Sequence, residues 1–194
     1  DQEEFLRTEN NPEQENAGHR EIPFSKHLYI EKEDFLEEAG KKFFRLTIGK
    51  EVRLKSAYIV CGEKAIKNKE GDIVEVQCTY DSKSKSGSGT EESLRKVKGT
   101  LHWVSKTHAT PVEIREYDRL FMVPDPGAED DFIKDLNPNS LKTKKGFAEP
   151  SLASPKINER FQFQRKGYFV VDKDSTKDAV VFNKTVALRD AWKK

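Results

Sequence analysis

Four side chains that could transfer protons are clustered between residues 98 and 121. The stretch reads KGTLHWVSKTHATPVEIREYDRLF and contains His102, His108, Glu113 and Asp118. A histidine beside a carboxylate can activate a nucleophile, so a hydrolase that uses His102 and Asp118 is one hypothesis. The alternation of Leu101, His102 and Trp103 instead indicates a strand whose apolar residues face a core. Because no nucleophile elbow and no zinc-ligand spacing accompanies the histidines, we predict neither a catalytic residue nor a metal site.

A basic cluster with interleaved aromatic residues is the stronger candidate for function. Its cations fall within fifteen residues and are Lys41, Lys42, Arg45, Lys50, Arg53 and Lys55. Phe43 and Phe44 lie among them, and cations beside aromatic rings suit single-stranded nucleic acid, because charges hold phosphates and rings stack on bases. Arg53 and Lys55 are two apart on a predicted strand and should share a face, opposite Val52 and Leu54. The alternative is a solvated strand edge that discourages aggregation.

A second candidate is the segment FQFQR at residues 161–165. Phe161 and Phe163 should face a core, which turns Gln162 and Gln164 outward. An amide both donates and accepts hydrogen bonds, so an outward Gln162 could recognise a base edge, although a plain surface strand has the same pattern. Arg165 can join the outward side only if the strand ends or bulges before it.

The composition restricts the classes of partner. The 194 residues carry 35 Lys and Arg and 34 Asp and Glu, a net charge of +1, so any nucleic-acid surface must be local. Hydrophobic residues make up 35%, which predicts a small or divided core. Neither a signal peptide nor an apolar run of about 18 residues occurs, so we expect a cytoplasmic protein that does not enter a membrane.

Many short strands separated by turn residues predict an all-β, mainly antiparallel fold with a few short helices. Residues 1–21 lack periodicity and are expected to be a flexible lead-in. A helix is predicted within residues 32–42, and a hairpin is expected to turn at residues 68–72. Residues 82–93, SKSKSGSGTEES, should form a mobile loop too polar to pack, and a further short helix is expected over residues 130–136.

Several long motifs resemble one known family. They are IPFS at 22–25, KEDFLEEAGKKFFRLTIGKEVRLKSAYIV at 32–60, KVKGTLHWVS at 96–105, HATPVEIREYDRLF at 108–121, VPDPG at 123–127, GFAEPSL at 146–152, FQFQRKGYF at 161–169 and VFNKTVALRDAW at 181–192. In this order they resemble the C-terminal anticodon-binding region of glutaminyl-tRNA synthetases. The resemblance implies two β-barrels, one mostly over 22–120 (distal) and one mostly over 121–194 (proximal), possibly with strands exchanged between them.

The same resemblance implies which residues contact the anticodon stem-loop of tRNA-Gln. Arg45, Arg53 and Gln162 match family positions that contact anticodon bases, and Arg165 matches a position near the same loop. Lys42, Phe44 and Lys55 complete the predicted set, although some relatives carry Gln, Lys and Arg, respectively, at these positions.

The family's ATP-binding signatures and α/β catalytic domain are not found in these 194 residues. The resemblance therefore implies a catalytic domain N-terminal to this region, which would use ATP with Mg to attach glutamine, whereas this region alone should be an inactive, monomeric tRNA-binding part that holds no cofactor. Two alternatives stay open: the equivalent region of an archaeal or eukaryotic glutamyl-tRNA synthetase, and a non-catalytic protein-interaction module.

Overall fold

A computed structural model describes residues 3–128 and 131–188, apart from the side chain of Glu15. The chain divides into two compact units, which we call the first unit (Asp1–His108) and the second unit (Ala109–Lys194). Short strands, mostly antiparallel, dominate both, which confirms the predicted all-β class. The described helical segments are α1 (Glu91–Leu94) and 3-10 turns at Glu15–Ala17, Lys32–Asp34, Ser82–Ser84, Phe132–Asp135 and Pro150–Leu152.

The first unit contains three small sheets. Its strands are β1 (Glu4–Glu9), β2 (His19–Phe24), β3 (Leu28–Ile30), β4 (Glu51–Leu54), β5 (Ile59–Lys67), β6 (Ile73–Asp81), β7 (Thr100–Leu101) and β8 (Trp103–Ser105). Strands β1 and β2 form one antiparallel pair, β3 and β8 form another, and the third sheet has the order β6-β5-β4-β7. The β5–β6 hairpin turns where predicted, because the Asn68 side chain accepts the Asp72 N–H at 2.8 Å and closes the turn.

Alternation along the strands builds the core of the first unit. Val52 and Leu54 are buried as predicted, and Leu101 and Trp103 join them. The expected flexible lead-in is wrong, because β1 pairs with β2 in register and inserts Leu6 into this core with only 1% of its surface exposed. The segment EFLRTE carries a short period-2 pattern, in which Leu6 and Thr8 are both buried.

The predicted helix within residues 32–42 is also wrong. Only the turn Lys32–Asp34 is helical, and Phe35 then forms a parallel bridge with Leu46. The Leu36 N–H donates to the Leu46 carbonyl at 3.2 Å, and the Leu46 N–H donates to the Asp34 carbonyl at 3.0 Å. Phe35 and Leu46 are both buried, so the gain from burying them outweighs the weak helical periodicity of this charged segment.

The serine-rich segment at residues 82–93 packs onto the first unit, contrary to the prediction. Ser84 is fully buried, and its hydroxyl accepts the Ile59 N–H at 2.8 Å. Ser86 donates from its N–H and its hydroxyl to the Ala57 carbonyl. Thr90 caps α1 by accepting the Ser93 N–H at 3.1 Å. Serine and threonine hydroxyls satisfy backbone groups at the edge of the sheet, and a count of apolar residues cannot detect this kind of anchoring.

The second unit is one five-stranded sheet of order β10-β9-β13-β12-β11. Its strands are β9 (Thr110–Tyr117), β10 (Leu141–Ala148), β11 (Arg160–Phe163), β12 (Gly167–Val171) and β13 (Val180–Val186). The predicted boundary at residue 120 placed β9 in the first barrel, but its pairing with β10 and, in parallel, with β13 holds it in the second unit. Strand pairing closes neither large sheet within the described residues, so the two-barrel form stays a prediction.

Rings fill the core of the second unit. Phe182 is fully buried, with the Phe161 and Phe163 rings against it at centroid distances of 6.0 and 5.0 Å, and Phe163 stacks on Phe169 at 4.3 Å. The expected helix over 130–136 is observed only as the turn Phe132–Asp135, and its first residue lies outside the described part, as do residues 189–192 of the last family motif. Within the described residues, no helix has the length and apolar character needed to cross a membrane.

Candidate nucleic-acid interface

A basic cleft with an aromatic wall occupies the surface of the first unit. Its volume is about 190 Å³, and it is lined by Lys41, Phe43, Phe44, Arg45, Lys50, Glu51, Val52 and Lys98. Four of these eight residues are cations and two are aromatic. The structure therefore brings together Arg45 and Phe44 from the predicted site and adds Lys98, which is distant from both in sequence.

The Phe44 ring and Lys98 form one side of this cleft. Phe44 is 47% exposed, and the Lys98 ammonium lies 5.8 Å from its ring centroid, a cation–π contact. Gly99 makes this approach possible, since a Cβ at that position would lie only 2.6 Å from the Phe44 carbonyl oxygen. A half-exposed ring beside a cation can stack on a flat, electron-rich group while the ammonium attracts a phosphate.

Arg45 is held at two points. Its Nη1 donates to the Phe44 carbonyl at 2.8 Å, and its Nε lies 3.3 Å from Oδ1 of Asp34. The arginine side chain is about one-third exposed, whereas the Asp34 carboxylate is almost completely buried. A guanidinium has five N–H donors, so most of them have no acceptor among the described residues and can bind a ligand in the cleft.

The Arg53 guanidinium is bound to the segment that follows β6. Its guanidinium donates to the carbonyls of Ser84 (2.9 Å), Ser93 (2.9 Å) and Arg95 (3.3 Å) and to the Ser86 hydroxyl (3.1 Å). Burial, with the nearby positive charge of Arg95, lowers the pKa of Arg53. Arg53 does not line the cleft, and in this structure its donors hold the segment 84–95 against β4.

Lys55 and Lys42 lie outside the cleft as well. Strand β4 ends at Leu54, and Lys55 begins a turn that continues through Ser56 at φ 57°. The main chain of Lys55 is fixed by bonds from its N–H to Leu101 and from Trp103 Nε1 to its carbonyl. Lys42 is exposed in the turn that precedes Phe44.

The second unit presents Gln162 on an exposed strand, as predicted. Phe161 and Phe163 pack on the core, and Gln162 between them is exposed. Opposite Gln162 on β12 is Tyr168, which is 47% exposed, and directly paired residues share a face of the sheet. Strand β11 ends at Phe163, and Arg165 follows in the turn at φ 64°, with its side chain partly buried and its Nη1 atom inaccessible to solvent.

The histidines form no catalytic arrangement in the described contacts. His108 Nε2 lies 2.9 Å from the Glu3 carboxylate, with the Phe5 ring nearby, and no hydroxyl or thiol is bonded to its imidazole. His102 and Asp118 belong to different units. Asp118 Oδ1 accepts the Arg119 N–H at 2.7 Å, which is a local turn bond. No group of three or more His, Cys, Asp or Glu suitable for a metal ion occurs in the described residues.

Three residues of these surfaces were missed from the sequence. Lys98 could have been suspected from its place beside a glycine, but no pattern linked it to Phe44 fifty-four residues earlier. Asp34 lay within the segment predicted to be a helix, and no role was predicted for it. Tyr168 is recognisable as strand-forming, but its position across from Gln162 depends on the register of β11 and β12.

Comparison with known proteins gives two matched regions. Residues 1–81 and 100–172 each match a sequence model described as tRNA synthetases class I (E and Q), anti-codon binding domain. The chain is 50% identical over 192 residues to a glutamine–tRNA ligase of Proteus mirabilis and 54% identical over 194 residues to one of Rhodopirellula baltica. These alignments cover 99% and 98% of the chain but 34% and 32% of the relatives, so the chain spans about a third of their length.

Proposed function

The chain belongs to the anticodon-binding domains of the class I tRNA synthetases for glutamate and glutamine, and on this premise we propose that it recognises the anticodon loop of tRNA-Gln. The observation that carries the proposal is the cleft of about 190 Å³ in the first unit, where Arg45 keeps unused donors beside the exposed Phe44 ring. The glutamine rather than glutamate assignment rests on the relatives, which are glutamine–tRNA ligases.

The cleft has the features needed to bind an unstacked nucleobase. A base can stack on Phe44, while the N–H groups of Arg45 donate to acceptors on its edge. Lys41, Lys50 and Lys98 at the rim attract the phosphates on either side, which explains how a chain with a net charge of +1 can bind RNA locally. A base with donors where Arg45 needs acceptors would leave buried polar groups unpaired, which costs about 1–3 kcal/mol per good contact.

Gln162 would contact a second base from the second unit. Its amide has one acceptor and two donors and lies on an exposed strand. It can therefore bond to either a donor or an acceptor on the edge of a base. Tyr168, on the same face, provides a ring on which that base can stack. Arg165, in the turn after β11, would contribute charge to the same region of the second unit.

The whole protein to which this chain corresponds would be a glutamine–tRNA ligase. We propose that a catalytic domain N-terminal to this region uses ATP with Mg to activate glutamine, and that the region described here supplies anticodon discrimination without catalysing a step itself. The cytoplasm, where tRNA is charged, would be its location, and a monomer its working form.

A binding experiment tests this function. Labelled anticodon stem-loops of tRNA-Gln and tRNA-Glu would be titrated with the 194-residue chain and with the variants Arg45→Ala, Gln162→Ala and Lys83→Ala. We expect tighter binding of the tRNA-Gln loop, and a loss of about 1–3 kcal/mol for each of the first two variants.

Lys83 is the control, because its exposed ammonium lies outside both surfaces. Preference for the tRNA-Glu loop would reassign the chain to glutamyl-tRNA recognition. Failure to bind any stem-loop would reject nucleic-acid recognition and favour a protein-interaction module.

A further inference from the structure

A buried carboxylate lies behind the cleft of the first unit. Asp34 is the last residue of the turn Lys32–Asp34 and has 1% of its surface exposed. Burying a carboxylate is costly unless it is paired, so its position calls for a specific partner. Arg45 is a side-chain cation in contact with it, and its Nε lies 3.3 Å from Oδ1.

Backbone hydrogen bonds hold the main chain on both sides of this ion pair. The Asp34 N–H donates to the Glu31 carbonyl at 2.9 Å, and the Asp34 carbonyl accepts the Leu46 N–H at 3.0 Å. Phe35 and Leu46, the residues that follow Asp34 and Arg45, are buried and bridge to each other. The Asp34 carboxylate and the Cα and Cβ atoms of Arg45 are therefore held relative to one another by the core of the first unit.

The contacts of Arg45 divide its guanidinium into an anchored part and an available part. Nε faces the Asp34 carboxylate and Nη1 donates to the Phe44 carbonyl, whereas Nη2 has no acceptor among the described residues. A guanidinium is planar, so fixing two of its nitrogens also fixes the direction of the third. An arginine without such an anchor has many rotamers, and binding a base would have to order them.

We infer that Asp34 is a positioning residue for base recognition, because it holds the Arg45 guanidinium in the plane and direction in which its remaining N–H groups meet a nucleobase in the cleft. The inference rests on the proposed function, since it needs an RNA base as the ligand of Arg45. It assigns to a buried aspartate, which touches no RNA itself, a share of the base selectivity of the cleft.

A double-mutant cycle tests this role. Asp34→Asn keeps the shape of the side chain and one acceptor oxygen but removes the charge, and it would be combined with Arg45→Ala. The probes are the tRNA-Gln anticodon stem-loop and the same loop with each anticodon base replaced in turn. Asp34→Asn should weaken binding of the cognate loop about tenfold and reduce the preference over one of the substituted loops. In the Arg45→Ala background, the same substitution should change binding less than about twofold.

A matched core variant separates positioning from a general loss of stability. Ile22→Val shortens another buried residue of the same core and should lower the unfolding midpoint in urea without changing base preference. If Asp34→Asn lowers affinity for all loops equally, or lowers it equally with and without Arg45, the pair is only structural and the inference is overturned.

A measurement on the unmutated chain covers the case in which Asp34→Asn does not fold. The Nε–H resonance of Arg45, assigned by its loss in Arg45→Lys, should exchange slowly with water and stay visible when the stem-loop binds. An Nε–H that exchanges as fast as those of exposed arginines would overturn the inference. Absence of RNA binding by the unmutated chain would instead reject the proposed function. The stem-loop titration described under the proposed function detects that outcome separately.

Discussion

Removing the Arg53 guanidinium should release the segment 84–95 from the first unit. This side chain donates to three carbonyls and one hydroxyl, those of Ser84, Ser93, Arg95 and Ser86. In Arg53→Ala all these bonds disappear together, whereas the bonds of Ser84 to Ile59 and of Ser86 to Ala57 remain.

The size of the effect follows from the number and kind of these bonds. A hydrogen bond from a charged donor contributes about 1.5–3 kcal/mol net, and four independent ones would exceed the usual effect of any single substitution. They are not independent, because they share one guanidinium, and the carbonyls they leave can be rehydrated at the surface. We therefore count about two full bonds and expect Arg53→Ala to lower the free energy of unfolding by about 3–6 kcal/mol.

Urea unfolding would measure the loss of stability in Arg53→Ala, and amide hydrogen exchange would measure the release of the segment 84–95. Exchange should rise first at the amides of Ser86, Leu94 and Arg95, which bond within or beside the released segment. Arg53→Lys should recover only part of the stability, because a single ammonium group cannot reach all the acceptors that the planar guanidinium contacts with its separate N–H groups. Lys83→Ala removes a cation from the neighbouring turn and should leave both measurements unchanged.

Unchanged stability and unchanged exchange in Arg53→Ala would refute this reasoning. The guanidinium would then not be bound to the segment in solution, and its donors would be available for a base, as the family resemblance implies. If exchange does rise, any loss of RNA affinity in Arg53→Ala must be compared with that of Arg53→Lys before Arg53 is assigned a base contact.

Three further outcomes are expected. Burial would raise the pKa of Glu4, but hydrogen bonds from Lys85 and Tyr58 outweigh it and lower that pKa, so the carboxylate stabilises the fold at neutral pH. This contribution should be lost as the pH falls below 4.5 through the folded-state pKa, and urea unfolding of Glu4→Gln should lack that acid-dependent part. Lys50→Ala should lower the slope of log affinity against log salt by about 0.7 with no change in base preference, and an unchanged slope would remove Lys50 from the phosphate contacts. Phe182→Ala should cost about 3–5 kcal/mol in unfolding free energy, because this fully buried ring packs on two others, and a loss below about 1 kcal/mol would contradict the packing described.

Period-2 alternation predicted the parts of the fold that depend on burial alone. Val52, Leu54, Leu101 and Trp103 are buried where the pattern placed them, and Gln162 is exposed between two core rings. The β5–β6 turn was predictable because an Asn side chain closes it locally. In each of these cases the outcome depends either on whether a side chain is exposed to water or on a hydrogen bond between near neighbours in sequence.

The errors have a common physical cause. The anchoring of residues 82–95 depends on hydroxyls that bond to backbone groups distant in sequence, and the loss of the helix at 32–42 depends on Phe35 bridging Leu46. The strand over Glu4–Glu9 is stabilised by pairing with β2 and by burial of Leu6 in a core that later strands build. Composition describes what a segment can bury, but it does not show which backbone groups a distant segment leaves unpaired.

Arg45 and Arg53 show why the same limit applies to function. Both are arginines in one basic stretch, both follow a residue that can enter a core, and the family resemblance gives both the same role. Their surroundings separate them: Arg45 meets one buried carboxylate and one carbonyl and keeps donors for the cleft, whereas Arg53 meets three carbonyls and a hydroxyl. A guanidinium contributes to base selection through the donors that the protein leaves unused. Under the proposed function, the donors available to select a base would therefore be determined largely by the partners of the two arginines, Asp34 for Arg45 and the serine-rich segment for Arg53.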